Sequence, residues 1–216
     1  MIHLVLPGNS PPDSHERQAP YSRNRLLFLA SPMRSCYTFF LSGGKVKDDF
    51  SFGAGRKERG MIKLQEATRD NLERLWKMQI LAFEDLLARY RDFDMSPGAE
   101  SFETVLAKFE QPWTKYFFIL CDDQMVGGVR VVDKADGANK RISPIWIMPD
   151  HRGKGYAQQA IRLLEDLYGP DNWALDTIWQ EKGNLHLYEK LEYVQTGQIN
   201  HIKEGMDIVY YEKCQR

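Results

Sequence analysis

The 216-residue sequence is 43% hydrophobic and 27% charged, with Lys+Arg 29 against Asp+Glu 30 and a formal net charge of −1. That composition is globular, and the missing basic excess speaks against nucleic acid as a partner. Cys36, Cys121 and Cys214 form no CxxC pair and no metal-ligand spacing with histidine, so neither a disulfide framework nor a metal site is expected, and a reducing cytoplasm is. The longest apolar runs, 26–30 and 37–41, fall short of the roughly 20 residues of a membrane span, so no membrane association is expected.

Residues 1–60 hold no helical or strand period and carry a proline-bearing tract at 7–12 and a Gly/Ser/Lys stretch at 42–60. They read as a poorly structured amino-terminal extension. A sharper expectation is that Met61 is the natural start. Arg56-Lys57-Glu58-Arg59-Gly60 can be encoded almost wholly by purines, as a bacterial ribosome-binding site ahead of a start codon would be. Either way, 61–216 is the expected functional domain.

Residues 61–67 predict a strand. Asp70 predicts a helix start, with Glu73 as its capping-box partner. Leu72, Leu75, Trp76, Ile80, Phe83, Leu87 and Tyr90 then recur at three- and four-residue steps along one helical face. A loop through Ser96-Pro97-Gly98 leads to a short helix over 102–109, capped by Ser101. Strands follow at 116–121 and 126–133, joined in a hairpin at Asp122-Asp123-Gln124, and a third apolar run covers 142–148. A helix after the glycine loop carries Ala157, Ala160, Ile161, Leu164, Leu167 and Tyr168 on one face. A strand at 173–179, a short helix at 185–191 and strands at 194–199 and 207–211 complete the order βααβββαβαββ, a mixed α/β fold.

The chemistry concentrates in Arg152-Gly153-Lys154-Gly155-Tyr156-Ala157, between the strand ending Ile147-Met148 and an amphipathic helix. A helix amino terminus leaves about four amide donors unpaired and favours phosphate. Glycine lets the backbone approach such a ligand, and Arg152 and Lys154 add positive charge. A Walker-type loop is excluded because Tyr156 follows the last glycine. A dinucleotide fingerprint is excluded because the loop follows the fourth strand, behind a hairpin.

Arg152-x-x-Gly155-x-Ala157 resembles the R/Q-x-x-G-x-G/A signature of the GNAT (Gcn5-related) N-acetyltransferases. Leu187-Tyr188-Glu189-Lys190-Leu191-Glu192-Tyr193 is similar to that family's L-Y-E-K-x-G-F/Y segment. The resemblance covers 61–213 and implies a mostly antiparallel central sheet flanked by helices, with a splay between strands 4 and 5, between 145–148 and 176–179. It implies acetyl-CoA as co-substrate and no metal. The pyrophosphate then falls to Arg152, Gly153, Lys154, Gly155, Tyr156 and Ala157, and the pantetheine arm to Ile147 and Met148.

By the same resemblance Tyr188 protonates the departing thiolate, or else simply packs beside Leu187 and Leu191. The family's asparagine, seven residues before the tyrosine, is here Glu181; Asn184, one helical turn before Tyr188, is the nearby candidate for the cofactor contact. Glu192 stands where the family has glycine, which costs about 1 kcal/mol if the site is left-handed. Asp176, Glu181 and Asp150 are the candidate bases for the acceptor amine. His151, His186 and His201 have no ligand-like spacing.

Acceptor recognition in such proteins lies in the first two helices and their loop, which here bring Phe83, Glu84, Tyr90, Asp92, Asp94 and Trp113. Their aromatic and acidic character suits a small cationic amine. The implied function is acetyl transfer to an amine by direct attack in a ternary complex, with a homodimer as a possible assembly. A non-catalytic acyl-CoA-binding module and a protein N-terminal or lysine acyltransferase are the competing readings.

Overall fold

The structure, a computed structural model, describes residues 60–214. The reading of 1–60 as an extension lies, apart from Gly60, outside the described residues. The elements run β1 (Ile62–Glu66), α1 (Leu72–Tyr90), α2 (Phe102–Phe109), β2 (Thr114–Cys121), β3 (Gln124–Val132), β4 (Lys140–Ile147), α3 (Tyr156–Tyr168), β5 (Trp173–Ile178), α4 (Lys182–Lys190), β6 (Val194–Lys203) and β7 (Met206–Lys213). The expected order βααβββαβαββ is the observed one.

Seven strands form one sheet in the order β1-β2-β3-β4-β5-β7-β6, antiparallel except where β4 meets β5. Strand β2 is apolar at almost every position because both of its faces are covered. Its successive side chains point to opposite sides. Phe117, Ile119 and Cys121 meet Ala160, Ile161 and Leu164 of α3 and Leu185, Tyr188 and Leu191 after it. Tyr116, Phe118 and Leu120 meet Leu72, Leu75 and Ala82 of α1 and Val105 of α2. Two helices therefore cover each face of the sheet.

The β2–β3 hairpin closes through Asp122 and Asp123, at φ 49 and φ 65, between the paired Cys121 and Gln124. A two-residue turn with both residues left-handed fits the twist of the strands, and aspartate tolerates that region.

The start of α1 departs from expectation. A short turn of 3₁₀ helix, Arg69–Asn71, precedes it, and Asn71 Oδ1 accepts from the Thr68 amide at 2.7 Å. The short polar side chain of Asn71 satisfies the terminal donor one turn before Glu73 could. Glu73 instead pairs with Lys77 at 2.8 Å, one helical turn along.

The feature that positions the site is the splay. Strands β4 and β5 pair only at Lys140↔Trp173 and Arg141↔Ala174. Beyond Arg141 they part, and β5 continues its ladder with β7 alone. Ser143–Ile147 thus presents one edge to an open gap, at whose far end α3 begins. Among the described residues no helix is long and apolar enough to cross a membrane.

Candidate active site

At the head of α3, Gly155 is the residue before the first helical turn, at φ 79, and Gly153 precedes it at φ 74. Both lie in the left-handed region that only glycine adopts without penalty. A Cβ built on either would meet no atom within 4 Å. The loop is therefore glycine-rich for its backbone shape, and not because a side chain there would clash.

Arg152 does not hang free. Its Nη2 donates to Ala82 O of α1 at 2.6 Å, its Nε to Ile147 O at 3.2 Å, and Asp85 Oδ2 lies 3.8 Å from Nη1. The guanidinium thus ties the loop to α1 and to the end of β4. Lys154 Nζ donates to Asp150 O at 3.1 Å.

Two clefts open on either side of the splay. The first, about 530 Å³, runs along the loop and is lined by Ile147, Arg152, Gly153, Gly155, Ala157 and Gln158. The second, about 410 Å³, lies between the C-terminal half of α1, the loop after it, and the β6–β7 hairpin. Six residues line both: Phe83, Leu86, Ile145, Glu181, Asn184 and Tyr188.

Tyr188 stands at this junction, packed against the rings of Tyr211 and Tyr193 at 5.9 and 6.3 Å. Burial, and then the charge of Asp176, push its phenol well above the usual tyrosine value of 10.0, so it is a neutral proton donor across the physiological range. Glu181 Oε1 accepts from Tyr90 Oη at 2.7 Å and from Arg89 Nη1 at 2.6 Å, which bridges the end of α1 to the start of α4. Burial first, and then the bond to Glu181, hold the Tyr90 phenol above its usual value. Asp176 on β5 lines the second cleft only, where it is paired with Arg141. Asn184 Nδ2 donates to Thr177 Oγ1 at 3.1 Å and so joins α4 to β5.

Most of the expected site residues meet here, and some do not. Ile147, Arg152, Gly153, Gly155, Ala157 and Asn184 line the first cleft. Phe83, Tyr90, Asp92, Asp176, Glu181 and Tyr188 line the second. Tyr156 turns toward the α3 side of the core, with Oη 3.2 Å from Cys121 Sγ, and Met148 packs on the α1 side. For both, only the backbone remains to face a ligand. Glu84 is exposed and lines neither cleft, because it projects from α1 one residue on from Phe83, about 100° round the helix. Trp113 lines neither cleft; it sits just before β2, its Nε1 donating to Gln111 Oε1 at 3.1 Å. Asp94 and Asp150 are also exposed and outside both clefts.

Arg89, Arg141, Asn200, Ile202 and Tyr210 were not expected in the site. They come from the far end of α1, the first residues of β4 and the β6–β7 hairpin, and no local motif marks them. Among the described residues no group of three or more His, Cys, Asp or Glu could hold a metal ion.

Comparison with known proteins agrees with this geometry. The profile of the acetyltransferase (GNAT) family matches residues 80–193. No curated protein matches the sequence. Among solved structures, spermidine N-acetyltransferase from Vibrio cholerae, in complex with CoA and spermine, is similar at 18% identity and a TM-score of 0.56, over 69% of this chain and 93% of that one. The acetyl transferase from Salmonella typhimurium that modifies the N-terminal serine of 50S ribosomal subunit protein L7/L12 is similar at 14% identity and a TM-score of 0.57, over 72% and 95%. At such identities the likeness is one of fold. With the family profile spanning the α1 wall, the splay, the glycine loop and the helix of Tyr188, the chain belongs to the GNAT acetyltransferases, acyltransferases that use acetyl-CoA.

Proposed function

We propose that the protein transfers the acetyl group of acetyl-CoA directly to the amine of a small acceptor, with both bound at once. The carrying observation is that two clefts meet at Tyr188 and share Glu181. None of the six shared residues is a cysteine or serine that could carry the acetyl group between the clefts. The activity is assigned to 61–216.

Acetyl-CoA supplies an acetyl group already activated as a thioester. The amides at the head of α3 would hold its pyrophosphate, beside Gly153 and Gly155 of the first cleft. The free edge of β4 beyond Arg141 would pair with the pantetheine amides. Tyr188 Oη holds a proton where a leaving sulfur needs one. Glu181 faces both clefts and accepts the proton an attacking amine must lose. One proton is thus delivered and one received as amine and thioester become amide and thiol. Asp176, which lines the second cleft alone, shapes the acceptor site instead.

A small amine is favoured over a protein terminus because the second cleft is about 410 Å³ and sets apolar residues such as Phe83, Leu86 and Ile208 beside the carboxylates Asp92, Asp176 and Glu181. The neutral, buried phenol at the junction favours an enzyme over a binding module. A cytoplasmic place fits the free thiols of Cys121 and Cys214. The test is to melt the full chain with acetyl-CoA, CoA and ATP separately, and then to screen amines for acetylated product by mass. At about 100 times the dissociation constant, acetyl-CoA should add roughly 2.7 kcal/mol, a rise of about 5–11 °C. No rise with either coenzyme A species from folded protein would overturn the assignment.

A further inference from the structure

We infer that Gln79 is a positioning residue for the acceptor: from inside the core it clamps the loop at 92–97, one wall of the second cleft, to α1. This rests on the acetyl-transfer reading above.

Gln79 lies on the core face of α1 with Leu72, Leu75 and Ala82, and it is 0% exposed. A polar side chain in such a place costs free energy unless its hydrogen bonds offset the water it has lost. Its Oε1 has no partner among the described residues. Its Nε2 donates twice, to Pro97 O and to Glu100 Oε2, both at 2.9 Å. All of its side-chain hydrogen bonding therefore goes to the chain at Pro97 and Glu100. The same stretch is fixed from other sides. Trp76 Nε1, one turn earlier on α1, donates to Glu100 O at 2.7 Å, and Lys108 of α2 pairs with the Glu100 carboxylate. A Cβ on Gly98 would stand 3.0 Å from Phe83 Cβ and 3.1 Å from Phe83 O, so the loop lies on α1 with no room for a side chain between them.

The anchored loop belongs to the acceptor side alone. Asp92, Met95, Ser96 and Pro97 line the second cleft, and none of them lines the first. Gln79 and Glu100 line neither. A buried amide outside both clefts thus holds one wall of one of them, and it reaches the acceptor only through the loop it carries. Loosening that amide should change how the acceptor is held and leave the cofactor side as it was.

The test measures initial rates with the full chain, varying acetyl-CoA and then the best acceptor among propylamine, phenethylamine, putrescine and spermidine. Gln79→Leu fills a fully buried site and leaves Pro97 O and Glu100 Oε2 without their donor, so acceptor KM should rise about ten-fold. The KM for acetyl-CoA should stay within about two-fold of its starting value. Gly98→Ala must lift the loop off Phe83 by a few tenths of an ångström and should raise acceptor KM by a smaller factor. Glu100→Gln, whose side-chain oxygen can still accept from Gln79, should stay nearer the parent value than Glu100→Leu. A shifted melting temperature in Gln79→Leu with acceptor KM unchanged would mark a merely structural amide and overturn the inference, leaving acetyl transfer standing. So would equal rises in both KM values. If Gln79→Leu does not fold, Gly98→Ala and the Glu100 pair decide by the same criterion. Stabilisation by acetyl-CoA with no product from any of these amines would instead bring down the transfer reading, and this inference with it.

Discussion

The two clefts that meet at Tyr188 are built in different ways. On the reading proposed above, the cofactor would be held chiefly by backbone: the edge of β4 freed by the splay, and the amides at the head of α3 beyond Gly153 and Gly155. The acceptor side is made of side chains drawn from α1, the loop after it, β4, β5, α4 and the β6–β7 hairpin. A backbone site depends on a few residues that permit an unusual chain path. A side-chain site depends on many residues, each replaceable, that tertiary packing happens to bring together. The first is fixed by what the ligand is. The second is free to change with the acceptor while the fold stays.

The sharpest way to break that contrast is at the loop. Gly155→Glu puts a charged side chain at a residue that lines the first cleft, at a φ of 79. The left-handed site alone costs about 1–2 kcal/mol, so the protein should still fold, with a lower melting temperature. The rise with acetyl-CoA should vanish. A variant that melts lower but keeps the whole rise would show that the loop is not the cofactor site.

At the junction, Tyr188→Phe keeps the ring against Tyr193 and Tyr211 and removes only the hydroxyl. Loss of a general acid should lower kcat about 100-fold or more, with the acetyl-CoA-induced rise unchanged. If the hydroxyl serves only packing, kcat will hold. Glu181→Gln and Asp176→Asn separate the two acids in the same assay. The first should cost about ten-fold or more in kcat. The second should act mainly on acceptor KM, since Asp176 lines only the acceptor cleft. Equal losses of kcat would move the base to Asp176.

That division also explains what the sequence disclosed. The loop, the strand before it and the helix bearing Tyr188 are contiguous, so their glycines, apolar runs and spacing were legible, as were the element order and the splay. Glu181 and Asn184 could be named because they lie within one or two turns of Tyr188. Arg141, Asn200 and Tyr210 reach the acceptor cleft, and Arg89 the cleft along the loop, from elements distant in sequence, and their local patterns are those of ordinary strands and helix ends. Glu84 and Trp113 show the converse: each has suitable chemistry beside an element that borders the clefts, but helical phase and a strand junction leave both outside them. The capping of α1 was misplaced for a similar reason, since Thr68 and Asn71 form the box two residues before Asp70 and Glu73.

The buried phenols test the interior under both clefts together. Tyr116 and Tyr211 are each pushed up to about 12, and Tyr188 and Tyr193 higher still, in every case chiefly by burial. Their folded values lie above the unfolded value of 10.0, so the stability tied to their neutral form is complete below pH 10. It is lost as pH rises through the folded values, because only the unfolded chain can ionise freely. Denaturant midpoints should therefore hold to about pH 10 and fall steeply above it. Of the ten tyrosines, these four should contribute phenolate absorbance only together with loss of structure. Ionisation of all ten near pH 10 in still-folded protein would mean that these rings are reached by water.

The smallest effect expected is at Glu192, which closes the helix of Tyr188. Its φ is 69, and the amides of Glu192 and Tyr193 donate back to Glu189 O at 3.0 Å and Tyr188 O at 3.1 Å. This is a helix end that glycine fits without strain, and a side chain there costs about 1–2 kcal/mol. Glycine also gives the unfolded chain more freedom, which returns part of that gain. Glu192→Gly also removes what the glutamate side chain contributes, so the net change should stay within about 1 kcal/mol in either direction, read as a denaturant midpoint at unchanged slope. It should leave kcat alone, because the backbone that sets Tyr188 in place already has this shape with glutamate. A change in kcat with no gain in stability would mean that the Glu192 side chain, and not only the turn it ends, helps to place Tyr188 at the meeting of the two clefts.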